Sequence, residues 1–306
     1  MAIPDFQAFT LPLLQLAFDG EDHTLSEAKD TIAERFRLTD AEKQELLPSG
    51  RQGRFANRIA WAKVYLQLAG LLESAQRGHF RITDRGREVL EQQPSRIDIA
   101  FLMQFDEFRQ FRQSGRRASE AELDPASGTI TQATETPEEL LDQSYQSVRG
   151  EVEAELLKRV KGSSPRFFEN LVVELLLKMG YGRNRVEAGT AIGSVGDEGI
   201  DGVISEDRLG LDNIYVQAKR WDGTVGRPEV QKFVGALHGK RASKGVFITT
   251  GTFSSEATDY VSRIDPRVVL VGGRQLAEFM FDLDVGVSAK ATYEVKRIDS
   301  DYFMED

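Results

Sequence analysis

The chain contains no cysteine and only three histidines, His23, His79 and His238, far apart along its 306 residues. Without thiols, disulfide scaffolding, thiolate zinc sites and cysteine nucleophiles are excluded, and the composition fits a reducing cytoplasm. Three scattered imidazoles do not assemble a nucleophile, base and orienting group of the histidine kind. What remains for metal chemistry is a hard ion held by oxygen ligands. No apolar run approaches a membrane span. Residues 1–20 carry no basic leader and turn acidic soon after a short apolar run, so no secretory signal is expected. A phosphate-cradling Gly-x-x-x-x-Gly-Lys-[Ser/Thr] loop is missing too: Gly235-Ala-Leu-His-Gly-Lys-Arg241 has the wrong spacing and falls in an expected helix. Nucleotide-driven translocation is therefore unsupported, and no nucleoside triphosphate is expected as a partner. No internal repeat is present.

What the chain does have is enough apolar material for real cores, 40% of residues, and a length that favours two domains with a connecting segment. Its formal net charge of -10 argues against a uniformly basic nucleic-acid surface. The charge is unevenly spread, however. Basic residues outnumber acidic ones from Arg51 to Arg96, whereas Glu120 to Glu155 and the tail from Asp299 to Asp306 are acidic.

Residues 1–95 read as a compact helical unit closed by a small hairpin. The pattern predicts a short helix over Pro12–Phe18, a helix opened by Thr24 with Glu27 three residues on, and another opened in the same way at Thr39. A longer helix follows from Arg54 to Gly70, with the apolar ridge Phe55, Ile59, Ala62, Leu66 and Ala69. Extended runs on either side of Arg77-Gly78 and a helix over Asp84–Gln92 complete the unit. Helices followed by a basic hairpin describe a winged helix-turn-helix, in which the long helix enters a major groove of double-stranded DNA and the wing touches backbone. The expected DNA contacts are Arg51, Arg54, Asn57 and Arg58 at the start of that helix, with Arg77 and Arg81 on the wing. The competing reading is that these arginines solvate an ordinary helix face, since many winged helices bind protein.

Residues 96–163 read as a helical and disordered linker region. It holds an aromatic-rich helix from Arg96 to Phe111, a polar stretch without period from Gln113 to Pro137, and a long helix from Pro137 to about Val160 that serves as a brace or self-association face. Residues 164–282 alternate helix and strand: a helix capped by Ser164 over Arg166–Met179, an extended piece near 186–191, a hairpin, a helix over Pro228–Lys240, an apolar strand over Gly245–Gly251, and strand and helix again to Phe281. That order gives an α/β sandwich around a mixed sheet. Residues 283–306 form an acidic tail.

The hairpin, Gly199 to Trp221, concentrates the polar chemistry. Asp201 opens its first strand. Gln217 and Lys219 lie two apart on the second, so they share a face, while Val216 and Ala218 take the other. An acid, an amide carbonyl and a lysine converging on one edge suit a metal ion beside a phosphate. On the helix before it, Glu169 lies beside Phe168, Val172 and Val173 on a flank turned toward the core, where an unpaired carboxylate is costly; alternatively it complements the helix dipole. Taken singly these are weak signals, because Asp between glycines usually serves a turn and a strand lysine usually faces water. Asp197 and Glu198 read as loop residues. Thr249 and Thr250, past the apolar strand, either contact phosphate or cap.

Together, Glu169, the Asp201 strand end and Gln217-Ala-Lys219 resemble a PD-(D/E)xK nuclease site. The wider run Gly196-Asp-Glu-Gly-Ile-Asp-Gly202, Gln217-Ala-Lys-Arg220 and Val246-Phe-Ile-Thr-Thr-Gly251 resembles the Mrr family of modification-dependent restriction endonucleases. This likeness covers most of residues 164–281, and the N-terminal winged helix is similar to that family's DNA-binding half. The resemblance implies a restriction-endonuclease-like fold and a Mg²⁺-dependent DNA endonuclease, with Mn²⁺ as a substitute, that prefers methylated DNA. It implies catalytic roles for Glu169, Asp201, Gln217 and Lys219. Asp201 is then the main anionic metal ligand, Gln217 a neutral one, and Glu169 a second, direct or in the outer coordination layer. Lys219 orients the attacking water or stabilises charge on the scissile phosphate. One departure stands out: Gln217 replaces the usual acidic residue, which should weaken metal affinity. Cutting both strands with one site per chain implies a homodimer or larger assembly. Two alternatives are a DNA-binding regulator whose nuclease-like domain only assembles, and a nuclease acting on junctions or RNA.

Overall fold

The computed structural model describes residues 2–74, 78–119, 134–182, 199–206 and 212–296. Arg77, Asp197, Glu198, the expected extended piece near 186–191 and the tail beyond 296 lie outside the described residues. The chain divides into two compact units, residues 1–146 with 295–306, and residues 147–294.

In the first unit, α1 (Gln7–Leu16) leads through a 3-10 turn (Ala17–Asp19) to β1 (His23–Thr24), α2 (Leu25–Arg35), α3 (Asp40–Gln44) and α4 (Arg54–Leu68). Then come β2 (Leu72–Glu73), β3 (His79–Ile82), α5 (Asp84–Glu91), α6 (Ile99–Leu102) and α7 (Asp106–Ser119), and the first part of α8 (Pro137–Gly162). Thr24 and Thr39 both form full capping boxes, with Glu27 and Glu42 returning the hydrogen bond. The strands make an antiparallel sheet in the order β1-β3-β2, the wing expected after the long helix. Helix α1 begins at Gln7, so Pro12 lies inside it rather than opening it, because burial of Phe9, Leu13 and Leu14 on one face outweighs the lost backbone donor. The single helix expected from Arg96 to Phe111 is broken into α6 and α7. Leu102 and Phe108 are both fully buried in the same core, yet six residues of unbroken helix would leave them about 120° apart. The break allows both to face inward.

In the second unit, the rest of α8 is followed by α9 (Pro165–Lys178), β4 (Gly202–Ser205), β5 (Asn213–Lys219), β6 (Thr224–Val225) and α10 (Arg227–Gly239). Next are β7 (Lys244–Thr249), β8 (Thr252–Phe253), α11 (Ser255–Val261), β9 (Arg267–Val271) and α12 (Gly273–Asp282). The main sheet runs β4-β5-β7-β9. Its first pair is antiparallel and the next two are parallel, the mixed α/β sheet that the alternation of elements predicts. One face buries Val216, Ile248 and Val271 against Phe168, Val172 and Leu175 of α9 with Leu156 and Val160 of α8. The other buries Phe247 against Val230, Phe233 and Leu237 of α10. Among the described residues no helix is long and apolar enough to cross a membrane.

Past β7 the chain passes very close to the segment after β5. A side chain at Gly251 would overlap the carbonyl oxygens of Gly223 and Trp221. Gly251→Ala should therefore destabilise the protein by about 1–3 kcal/mol, the usual cost of overpacking, read as a lower urea midpoint in equilibrium unfolding. An unchanged midpoint would mean that this crossing relaxes freely.

Candidate active site

The site is built around the antiparallel pairing of β4 with β5. The Asp201 amide donates to the Val216 carbonyl at 2.8 Å, extending the ladder one residue beyond β4. Asp201 Oδ2 accepts two hydrogen bonds, from the Ala218 amide at 2.7 Å and from Gln217 Nε2 at 2.8 Å. Burial pushes the Asp201 carboxyl above its ordinary range, against the pull of the Ala218 amide, Gln217 and the Lys219 charge. Glu169, half-buried on α9, is also raised, first by burial and then by the negative charge of Asp201. Two carboxylates that each resist ionisation, one of them because of the other, mark a place where a cation lowers the energy.

Gln217 turns its amide oxygen toward Gly199, where a Cβ would come within 3.2 Å of it. Gly199 has φ of +103°, a conformation that favours glycine, so the oxygen looks into space that a side chain would fill. Among the described residues no three His, Asp or Glu side chains gather around one point. The oxygen donors present are therefore two carboxylates and an amide, a set that suits a hard divalent ion.

Lys219 lies on the same sheet face as Gln217, toward α10. Its ammonium group ion-pairs with Glu229 and sits 4.2 Å from the centre of the Trp221 ring. Glu229 occupies the first turn of α10, and its other oxygen accepts from Lys232 at 2.9 Å. Hydrogen bonds from Lys219 and Lys232 hold its carboxyl below the usual range. Sequence reasoning missed Glu229. The available signal was an acidic residue in the first turn of a helix that follows the lysine strand by a short connection.

Thr249 and Thr250 are buried, and neither faces a ligand space. Thr249 Oγ1 donates to the Lys219 carbonyl at 2.8 Å, and Thr250 Oγ1 both donates to the Trp221 carbonyl and accepts from its amide at 2.9 Å. They clamp the end of β5, which resolves their open role in favour of capping.

Profiles described as a restriction endonuclease catalytic domain and as the Mrr N-terminal domain match residues 160–280 and 6–92. The type IV methyl-directed restriction enzyme EcoKMrr of Escherichia coli K12 is 36% identical over 315 residues, covering 99% of this chain and 100% of the relative. The chain belongs to the Mrr family of restriction endonucleases. It is a DNA endonuclease that restricts foreign DNA, and enzymes of this kind generally use a divalent metal. Two solved structures are more distant. The ATP-dependent type ISP restriction-modification enzyme LlaBIII bound to DNA aligns over 47% of this chain and 10% of its own, at 19% identity and a TM-score of 0.34. The MspJI restriction endonuclease in complex with a 27-mer oligonucleotide aligns over 66% and 47%, at 19% identity and a TM-score of 0.30.

In the N-terminal unit, the expected DNA contacts divide into exposed residues and residues engaged within the unit. Arg51 and Arg81 are exposed, Arg81 paired with Glu73 at 2.6 Å. Asn57 is fully buried, with Thr136, Glu138 and Gln52 as partners. Arg58 is only 12% exposed and is held by Glu139 at 2.9 Å and by the carbonyls of Ile3 and Pro4. Arg54 pairs with Glu45 at 2.6 Å. Asn57 and Arg58 thus face inward in this structure, because α4 is packed on several sides rather than one, and their donors are taken by Glu138 and Glu139 of α8 together with Gln52 and the Ile3 and Pro4 carbonyls.

The raised Asp201 carboxyl carries a stability signature. A carboxyl whose pKa rises on folding binds protons more tightly in the native state, so its contribution falls as pH rises through the raised value and is restored below about 3.9, the unfolded Asp value. Metal-free Asp201→Asn should melt above wild type at pH 8, where the wild-type carboxylate is ionised against its burial. The gap should close toward pH 4; a gap that widens on acidification would contradict the assignment.

Proposed function

We propose that residues 164–282 hydrolyse DNA phosphodiester bonds with Mg²⁺, or Mn²⁺ in its place, at a site made by Asp201, Gln217, Lys219 and Glu169. The observation that carries this reading is the Asp201 carboxylate, raised by burial while tied to the Ala218 amide and Gln217. Asp201 and the Gln217 amide oxygen would hold the ion, with Glu169 completing the set. When bound, that ion would acidify a water and offset charge on the phosphate. Lys219 donates hydrogen bonds to the scissile phosphate and stabilises charge as it develops there. With only two carboxylates, the site should need more metal than one with three.

In this reading residues 1–95 deliver double-stranded DNA, with exposed Arg51 and Arg81 on the contact surface, together with Arg77. Residues 96–163 connect the two domains and residues 283–306 form a tail. One site per chain calls for a homodimer or higher assembly to cut both strands. The EcoKMrr relative is described as methyl-directed, which supports methylated DNA as substrate, and the absence of cysteine supports a cytoplasmic location.

Methylated and unmethylated plasmids incubated with Mg²⁺ provide the test. Wild type should cut the methylated plasmid preferentially. Lys219→Ala should lose about 10²–10³-fold in rate, the cost of one charge-stabilising donor, and Asp201→Ala at least as much. Equal cutting of both plasmids removes the methylation claim; wild-type rates in both variants remove these residues from the site.

A further inference from the structure

We infer that Glu229 is the positioning residue of Lys219, an inference that rests on the assignment of Lys219 to the site. A lysine at the end of a strand has four rotatable side-chain bonds, and its ammonium group must be confined before it can act on one phosphate oxygen. Three features confine it here. Its own carbonyl accepts from Thr249 Oγ1 at 2.8 Å, the Trp221 ring lies 4.2 Å from the ammonium group, and the Glu229 carboxylate accepts a hydrogen bond from that group. Glu229 is itself braced. It stands in the first turn of α10, where the helix dipole favours a negative charge, and its second oxygen is held by Lys232 at 2.9 Å. Asp201 and Glu169 already oppose the approach of a polyanion. A third carboxylate there works against DNA binding, unless its effect on the lysine outweighs the repulsion.

The test separates binding from chemistry. Single-turnover cleavage and DNA affinity should be measured for Glu229→Ala, Glu229→Gln, Lys219→Ala and Lys219→Ala with Glu229→Ala. Glu229→Ala should lower the cleavage rate about 10²-fold, the scale of a 1 Å misplacement, with DNA affinity equal to or tighter than wild type. Glu229→Gln, which keeps an acceptor, should recover part of the rate. The double variant should be no slower than Lys219→Ala alone, since Glu229 acts through the lysine. If Lys219→Ala is inactive while Glu229→Ala cuts at the wild-type rate, or if the two losses simply add, the positioning role is overturned and the Lys219 assignment stands. A Lys219→Ala variant that cuts normally overturns both.

An independent observation concerns the first unit. Every residue of α4 is buried or half-buried, and the polar groups at its start are met by side chains from the start of α8. Asn57 bonds Thr136 at 2.6 Å and Glu138, Arg58 bonds Glu139 at 2.9 Å, and the Ser49 amide donates to Asp142 at 2.7 Å. Asn57 and Arg58 are among the groups expected to meet DNA, and the Glu138 and Glu139 carboxylates upon them present the same acceptor chemistry as phosphate, while the Thr136 hydroxyl donates to the Asn57 side-chain carbonyl oxygen. A buried ionic joint of this kind stabilises less than apolar packing would, and here it leaves Arg54 Nε buried with no hydrogen-bond acceptor. The geometry points to an autoinhibitory contact, in which the first turns of α8 compete with DNA for the start of α4.

Glu138→Gln with Glu139→Gln keeps the shapes while removing the charges, and Asp142→Ala opens the joint at its edge. Either variant should bind a DNA duplex about 10-fold more tightly and with a steeper salt dependence. Arg54→Ala with Arg58→Ala should cost more affinity in the opened protein than in wild type. Tighter binding that is indifferent to the two arginines, or no tightening in the folded variants, overturns the contact as a regulator.

Discussion

The catalytic unit depends on one carboxylate oxygen. Asp201 Oδ2 receives the Ala218 amide at 2.7 Å and the Gln217 side chain at 2.8 Å, so the start of β4 and the end of β5 are tied at the point where the site residues lie. A carboxylate that accepts a backbone amide is fixed in direction as well as position. The tie is reinforced from the far side of β5. Its parallel pairing with β7 places Lys219 opposite Thr249, and Thr249 and Thr250 take up the backbone groups of Lys219 and Trp221. Strand pairing, rather than a loop, therefore positions the proposed site residues.

The two faces of β5 divide the work. Val216 and Ala218 pack toward α9 and hold the sheet to its helical layer, while Gln217 and Lys219 are left on the face toward α10. A strand with alternating side chains lets one segment serve core and site at once. Glu169 approaches from α9 and Glu229 from α10. The negative charges therefore fall into two groups: Asp201 with Glu169, both raised and suited to a cation, and Glu229, lowered by two lysines. Desolvation that outweighs nearby positive charge and direct pairing with a lysine drive carboxyl groups in opposite directions, and this unit shows both.

The first unit follows a different logic. Its longest described core helix, α4, carries aromatic and aliphatic residues on more than one face, and Tyr65 packs edge-on against Phe6 and Phe108. A helix so placed organises the unit around itself. Its polar start is then a buried electrostatic joint with α8 rather than a free surface.

The sequence by itself determined the secondary elements, since capping threonines, apolar periodicity and the alternation on β5 are local signals. It also brought Asp201, Gln217 and Lys219 into one hairpin, because strand period and a small separation along the chain leave little choice of partner. The break between α6 and α7, the inward turn of Asn57 and Arg58, and the pairing of Lys219 with Glu229 were decided only by the tertiary structure. Each depends on what a second element places opposite the first. A buried Leu102 and Phe108 demand one core, α8 brings Glu138 and Glu139 to α4 from 81 residues away, and α10 turns its first acidic residue onto β5. Spacing along a chain encodes which side chains share a face, but not which charge meets them across a gap.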